Sequence, residues 1–391
     1  MQNATVLTVN GRIQLARRWW HAAETGSIAP ADELVDRRGA TVTPGVREMA
    51  CRVNQASMSF DKAAENLART AQVTLSGEQL RLLVEAEGRQ VLAAQQANMI
   101  DTAWTAADCE VTENGRVVPG KTRIYSGCDG VMVPIITHVE KQKRRTKVKE
   151  KRQKCGRKRR PLPPLHKGAD KSWKEFKVCY FYSEDMQHQH VSVTHQNHLA
   201  AGRLLRRDAD RLKFRDASER ISLSDGAPWI REQYLLHFAE LDGLGLDFYH
   251  LGENVHRARR KVFGEESSEG KAWADDLMHE FKHDGYAVAW ERLVQWRATL
   301  KRSPKKRKAA DTLLNYVSSR EEMIQYPEFR KKEWQIGSGP TEAQCKLTVG
   351  RLKGRSRRWD RPNAAAVTAL DSLERSGQWH KYWPTLCPAA A

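Results

Sequence analysis

The stretch Ile124-Tyr-Ser-Gly-Cys-Asp129-Gly130-Val-Met-Val-Pro134 decides the reading of this chain. Its β-branched and aromatic residues, continuing from Arg123 to Ile136, mark a strand, and Asp129, beside Gly130, ends the run that begins at Ile124. Two further acidic residues have equally unusual neighbours. Asp225 ends Ile221-Ser-Leu-Ser-Asp225-Gly226, a second strand-like run. Glu342 opens a helix in Ile336-Gly-Ser-Gly-Pro-Thr-Glu342. Two Asp at strand ends and a distant Glu on a helix are suited to holding two divalent cations for phosphoryl transfer. Short Asp side chains on rigid strands fix one wall, and the longer Glu reaches from the other. Mg²⁺ wants hard oxygen ligands of this kind, with Mn²⁺ able to substitute. Taken singly, each residue has a plain structural explanation: Asp-Gly turns the chain, and a Glu in a first helical turn favours the helix dipole.

Composition supplies the second constraint. Lys and Arg total 66 against 48 Asp and Glu, a net charge of +18 over 391 residues. Such an excess favours polyanions, nucleic acid above all, with an anionic membrane surface as the weaker alternative. No apolar run approaches the length of a membrane span, so no membrane partner is expected. The N-terminus, Met1-Gln-Asn-Ala-Thr-Val6, lacks a basic segment followed by an apolar one, so no signal peptide is expected. Seven scattered cysteines without a CxxC pair argue against a disulfide scaffold or a zinc ribbon and point to a reducing cytoplasm.

Outward from Asp129 the pattern is that of a mixed α/β protein. Strands are expected at Arg123–Ile136, Phe176–Tyr182, His190–His195, Ile221–Ser224 and Leu244–Phe248, separated later by helices at Asn197–Leu212, Trp229–Phe238 and Glu253–Val262. A mixed five-stranded sheet with flanking helices follows. Residues 1–118 read as mostly helical. Within them, about 57–87, a helix, a short break and a second helix opened by a Ser76/Gln79 capping box fit either a helix-turn-helix DNA reader or an ordinary helical hairpin. Residues 265–335 read as an all-helical insertion, with Trp273, Leu277, Phe281, Trp290, Leu293, Trp296 and Leu300 at helical spacing. Residues 336–391 return to the sheet domain with the Glu-bearing helix and a tail.

Between the first two strands, Lys141–Arg160 carries thirteen Lys or Arg among twenty residues. Like charges so dense predict a solvated loop over 138–170, with Arg144 and Arg145 available to DNA phosphates. Lys346, Lys353, Arg357 and Arg358 are expected to line a groove beside Glu342 as further backbone contacts. Trp359 is either core or a platform for a flipped base. Four histidines around one strand, His188, His190, His195 and His198, lack a Cys or carboxylate to complete a metal site.

The segments Asp129-Gly-Val-Met-Val-Pro134, Ser224-Asp-Gly-Ala-Pro-Trp-Ile230, Leu246-Asp-Phe-Tyr-His-Leu-Gly-Glu253, Ile336-Gly-Ser-Gly-Pro-Thr-Glu-Ala343 and Arg351-Leu-Lys-Gly354, together with Trp359, resemble DDE transposases of bacterial insertion sequences. The resemblance is to the ISKra type within the Mutator-like group and covers roughly residues 40–375. It implies an RNase H-like catalytic domain, over 119–264 and 336–391, that nicks DNA at element ends and transfers the strand to a target. Asp129, Asp225 and Glu342 would be the catalytic, metal-holding triad. It also implies that Asp247 and His250 form a (Cys/Asp)-x-x-His signature, His250 touching the scissile strand and Asp247 being accessory. Element ends must be brought together, so a homodimer or higher assembly on DNA is expected, associated with the bacterial nucleoid. Relatives often carry N-terminal cysteine pairs, and this chain has none. Two rivals stay open: a domesticated DNA-binding protein without chemistry, and a structure-specific nuclease of the same fold.

Overall fold

The computed structural model describes residues 2–24, 26–35, 41–57, 59–113, 115–156, 161–354 and 357–384. The chain begins with two hairpins, not helices. Strand β1 (Gln2–Thr8) pairs antiparallel with β2 (Gly11–Arg17), and β3 (Trp20–Ala22) with β4 (Gly26–Ile28). This corrects the helical reading of the first thirty residues. The first turn contains Asn10-Gly11, with Gly11 at φ 101, a left-handed geometry that glycine adopts freely and that closes hairpins. Helices α1 (Ala31–Val35), α2 (Pro44–Gln55), α3 (Phe60–Thr70) and α4 (Gly77–Gln96) follow. Ser59 caps α3, and Ser76 with Gln79 forms the capping box of α4 that the spacing predicts.

The middle of the chain is β5 (Glu110–Glu113), β6 (Arg116–Pro134), α5 (His138–Lys154), β7 (Trp173–Ser183), β8 (Gln189–Thr194), α6 (His198–Arg211), β9 (Glu219–Ser224), α7 (Pro228–His237) and β10 (Gly243–Leu246). Then come α8 (Phe248–Phe263), α9 (Ser268–His283), α10 (Tyr286–Thr299), α11 (Pro304–Ser318), α12 (Tyr326–Lys331), α13 (Gly339–Gly350), α14 (Arg361–Arg375) and α15 (Trp379–Tyr382). The fold is thus mixed α/β. Its central sheet has the order β10-β9-β6-β7-β8, with the short β5 added on β6. Strands β6, β9 and β10 run parallel, while β7 and β8 are antiparallel. Strand β7 is buried continuously from Phe176 to Ser183, as a strand covered on both faces must be.

The chain folds as two compact units. One comprises Met1–Ala103, Met132–Glu175 and Leu347–Ala391, the other Trp104–Val131 and Phe176–Lys346. These bounds differ from those expected at 118, 264 and 335, because packing gathers segments far apart in sequence. In the first unit, α14 lies against α4 so closely that a β-carbon on Gly88 would stand 2.3 Å from the Ala366 carbonyl oxygen. Leu67, Leu80, Leu370, Leu373 and Trp379 share that core. Helix α4 therefore spends Leu80, Leu83, Val84, Gly88 and Val91 on packing, and only its remaining face is open to a partner.

In the second unit the insertion forms a helical core with α8. Leu277, Phe281, Leu293 and Trp296 are buried there as their spacing predicts, with Trp273, Trp290 and Leu300 packed against them. Fully buried Arg123 on β6 anchors the segment after α12. It pairs with Glu219 at 2.5 Å and Glu184 at 2.6 Å and donates to the carbonyls of Lys332 and Glu333. A buried charge is tolerable only when satisfied in this way.

The basic segment is the second correction. Residues 138–154 form helix α5, not a loop, and none of its side chains is buried. Thr137 and Glu140 close a capping box at its start. Lys, Arg, Gln and Glu are good helix formers, and that propensity with the cap offsets the repulsion. Residues 157–160 of the expected loop lie outside the described residues, and residues 161–168 form neither helix nor strand, as expected of a loop. No helix among the described residues is long and apolar enough to cross a membrane.

Candidate active site

The carboxylate site belongs to the second unit and is assembled from four elements. Asp129 lies inside β6, not at its end, and its Oδ1 accepts from the Gly130 backbone N–H at 2.6 Å. The strand continues through Asp129-Gly130, so the turn that this pair could make instead does not form. Asp225 follows the last residue of β9, and its Oδ1 accepts from Ala227 N–H at 2.8 Å. Since β6 and β9 are neighbouring parallel strands, their acidic residues share one end of the sheet. Glu342 is in the first turn of α13.

What brings Glu342 to the strands is a close helix–strand approach. A β-carbon on Gly127 would fall 2.0 Å from Thr341 Oγ1, so only glycine fits beneath the helix two residues before Asp129. Burial, together with the charges of Asp225 and Glu342, pushes the Asp129 carboxyl up to about 6, against the Gly130 hydrogen bond that lowers it. Asp129 therefore feels the charges of both Asp225 and Glu342. Mutual repulsion of this kind is what a bound cation relieves.

Asp247 ties the site together. Its backbone N–H donates to Ser224 O at 2.7 Å, beside Asp225, and its Oδ1 caps α8 by accepting from His250 N–H at 2.8 Å. Its Oδ2 accepts from the backbone N–H of Ser338 and from Ser338 Oγ, the latter at 2.7 Å. Ser338 precedes α13 and takes the Glu342 N–H on its own carbonyl. One buried carboxylate thus links the end of β9 to the start of the Glu342 helix. Burial alone would raise its pKa, but the donations from His250 and Ser338 hold it down at about 2.

His250 Nδ1 stands 3.3 Å from Asp247 Oδ1 and 3.5 Å from Glu342 Oε1. Its contact with Asp247, against the opposing effect of burial, raises it to about 9, so it is a cation at neutral pH. Asp247, His250 and Glu342 are the one group of ligand-type side chains among the described residues gathered tightly enough to hold a metal ion. Asp247 has both oxygens engaged by the protein, and neither Asp129 nor Asp225 belongs to that tight group.

The basic residues divide. Lys346, on the turn after Glu342, reaches 3.7 Å from its Oε2. Lys353, Arg357 and Arg358 belong to the first unit, where Arg357 and Arg358 immediately precede Trp359. Arg144 is exposed on α5, whereas Arg145 is committed to the protein, donating to Pro163 O at 2.6 Å. Trp359 is buried, and its indole N–H donates to Leu352 O at 3.1 Å. The four histidines form no metal-holding group among the described residues: His188 lies tilted against Trp104, His195 against Phe176, and buried His190 faces Asp208 at 3.6 Å.

One neighbour escaped the sequence reading. Arg320, just past α11, donates Nε–H to Gly226 O at 3.0 Å and lies over the Tyr316 ring at 4.0 Å. It braces the turn that carries Asp225. No local pattern marks an arginine in Ser318-Ser-Arg320, because its target is almost a hundred residues away.

No protein-family model matches the chain, and no curated protein does. Among solved structures it is similar to a Drosophila P element transposase strand transfer complex, at a TM-score of 0.41 and 9% identity, covering 90% of this chain and 98% of that one.

Proposed function

We propose that the chain is a DNA transposase of an insertion sequence, of the ISKra type that its motifs resemble, with an RNase H-like catalytic domain. The observation that carries this reading is the placement of Asp129 and Asp225 on neighbouring parallel strands and of Glu342 at a helix start, with Asp129 feeling the charges of the other two. The net charge of +18 supports DNA as the substrate.

Asp129, Asp225 and Glu342 would hold two Mg²⁺ ions, which when bound stabilise the attacking and leaving oxygens of an in-line phosphoryl displacement. The chain's own residues have separate tasks. Asp129 must be deprotonated to serve as a ligand, and that is hindered while the neighbouring carboxylates stand unneutralised. Asp247 keeps the Glu342 helix in register with β9. His250, a cation at neutral pH, faces the same space and offers a charge to the scissile phosphate. Lys346 and the exposed face of α5 would hold DNA backbone, and two chains would bring two element ends together.

The test is a Mg²⁺-dependent nicking and strand-transfer assay on duplexes carrying the element's own terminal inverted repeats. Nicking followed by joining to target DNA supports the transposase. Nicking without joining favours the structure-specific nuclease, and binding without nicking favours the domesticated DNA-binding protein.

A further inference from the structure

The first unit contains a cleft of about 470 Å³ that the carboxylate site does not use. Its walls are Phe60, Trp359, Arg144, Arg351 and Arg357. Several features show that it is built and held. Arg351 spreads its guanidinium over the Phe60 ring at 4.9 Å and donates to Ser57 O and Asn54 Oδ1. Arg357 donates to Arg351 O at 2.7 Å. A β-carbon on Gly354 would lie 2.5 Å from the Arg357 guanidinium carbon, so glycine at 354 leaves the room into which Arg357 folds. That gives a physical reason for the end of Arg351-Leu-Lys-Gly354, which the catalytic reading leaves unexplained. Phe60 meets Trp359 edge-on, ring centroids 6.1 Å apart, and Trp359 is pinned by a backbone bridge to Ile135.

The charges are unbalanced. Lys141 and Arg81, also in the wall, are paired with Asp360 and Glu85 at 2.7 Å each. Asp61 adds one carboxylate to the lining. Arg144, Arg351 and Arg357 have no carboxylate within ion-pair distance among the described residues. Burial, and to a lesser degree the neighbouring Arg357, push the Arg351 guanidinium down to about 10. Guanidinium groups lacking a carboxylate are suited to phosphate, and the half-buried Phe60 ring, one face of which Arg351 covers, gives the cleft an aromatic wall for a base. The volume falls in the range of small-molecule sites.

We propose that this cleft binds one nucleotide unit, its phosphate between Arg144 and Arg357, with Arg351 adding charge from the wall, and its base against Phe60. The unit is either a free nucleotide or one nucleotide of a DNA strand. This inference stands on the first unit alone and is independent of the metal-site reading.

The test is equilibrium binding to the full chain at fixed ionic strength, using the four deoxynucleoside 5′-monophosphates, inorganic phosphate, a deoxynucleoside and a single-stranded pentanucleotide. Mononucleotides are expected to bind at least roughly tenfold more tightly than phosphate or nucleoside alone. Arg357→Ala, Arg144→Ala and Phe60→Leu should each weaken them by about tenfold, while Arg302→Ala, a surface cation outside the cleft, leaves binding unchanged. If only the pentanucleotide binds, and Arg357→Ala and Phe60→Leu both abolish it, the cleft serves a strand. Exposed Arg144 is the variant least able to disturb folding, and thermal melts check the others. Phosphate binding as tight as nucleotide, or cleft variants indistinguishable from wild type, would overturn the proposal.

Discussion

Thr341 occupies the space that a side chain on Gly127 would need, with its Oγ1 only 2.0 Å from the position of a β-carbon there. This contact seats the first turn of α13 on β6, and so sets how near Glu342 comes to Asp129. Gly127→Ala should therefore push the helix off the strand. Overpacking of this kind costs about 1–3 kcal/mol. The expected result is a lowered melting temperature together with loss of Mg²⁺-dependent nicking and retained DNA affinity. Gly127→Ala with wild-type nicking would show that this spacing does not matter to the chemistry.

Asp247 is expected to act through Ser338, not on DNA. Asp247→Asn keeps the shape but turns one acceptor oxygen into a donor facing Ser338 N–H. An unsatisfied buried group costs about 1–3 kcal/mol. Nicking should fall because the Glu342 helix loses its anchor, and Ser338→Ala, which removes only the hydroxyl donor, should show the same change in smaller measure. Comparison of kcat with KM for DNA separates the roles: a positioning residue lowers kcat and leaves KM nearly unchanged.

Asp208 gives a pH prediction away from the site. It is fully buried, and although burial raises a carboxyl, His190 facing it at 3.6 Å and the donations of Arg207 Nε and Nη2 to its Oδ1 hold it down at about 2. Its folded pKa lies below the unfolded value of about 3.9. The associated stability is therefore present above about pH 4 and is lost as pH falls toward about 2, on the order of 2 kcal/mol. Thermal melts of wild type and Asp208→Asn should differ most near neutral pH and converge in acid. A difference that stays constant down to about pH 2 would contradict this assignment.

Helix α5 should govern the salt dependence of DNA binding. Lys143, Arg144, Lys147 and Lys151 are exposed along it, and no ion pair holds any of them among the described residues. Replacing all four with Gln keeps helix propensity and removes four phosphate contacts. The slope of log affinity against log salt should become shallower by roughly 3–4. An unchanged slope would place DNA elsewhere.

Much of this architecture can be read from the residues because its signals are local. The Ser76/Gln79 box, the strand at Ile221–Ser224 and the apolar spacing of the insertion act within one turn or one strand. What escaped depends on distant partners or on competing local effects. The first hairpin hid behind a polar, weakly patterned segment whose Asn10-Gly11 turn is its clearest mark. Helix α5 forms because propensity and a cap outweigh repulsion, a balance that charge counting alone does not weigh. Asp129 looked like a strand end because Asp-Gly commonly turns the chain, yet β6 runs on through it. Arg320 at Gly226 and Thr341 at Gly127 are contacts between residues 94 or more apart in sequence, which no window of sequence contains.

The central claim is that Asp129, Asp225 and Glu342 share divalent cations. Mn²⁺ titration followed by electron paramagnetic resonance, with DNA present, tests it most directly. The account predicts about two ions per chain for wild type, with binding lost or sharply weakened in each of Asp129→Asn, Asp225→Asn and Glu342→Gln while DNA affinity holds. Undiminished Mn²⁺ binding in any one of the three would remove that residue from the site and contradict the account.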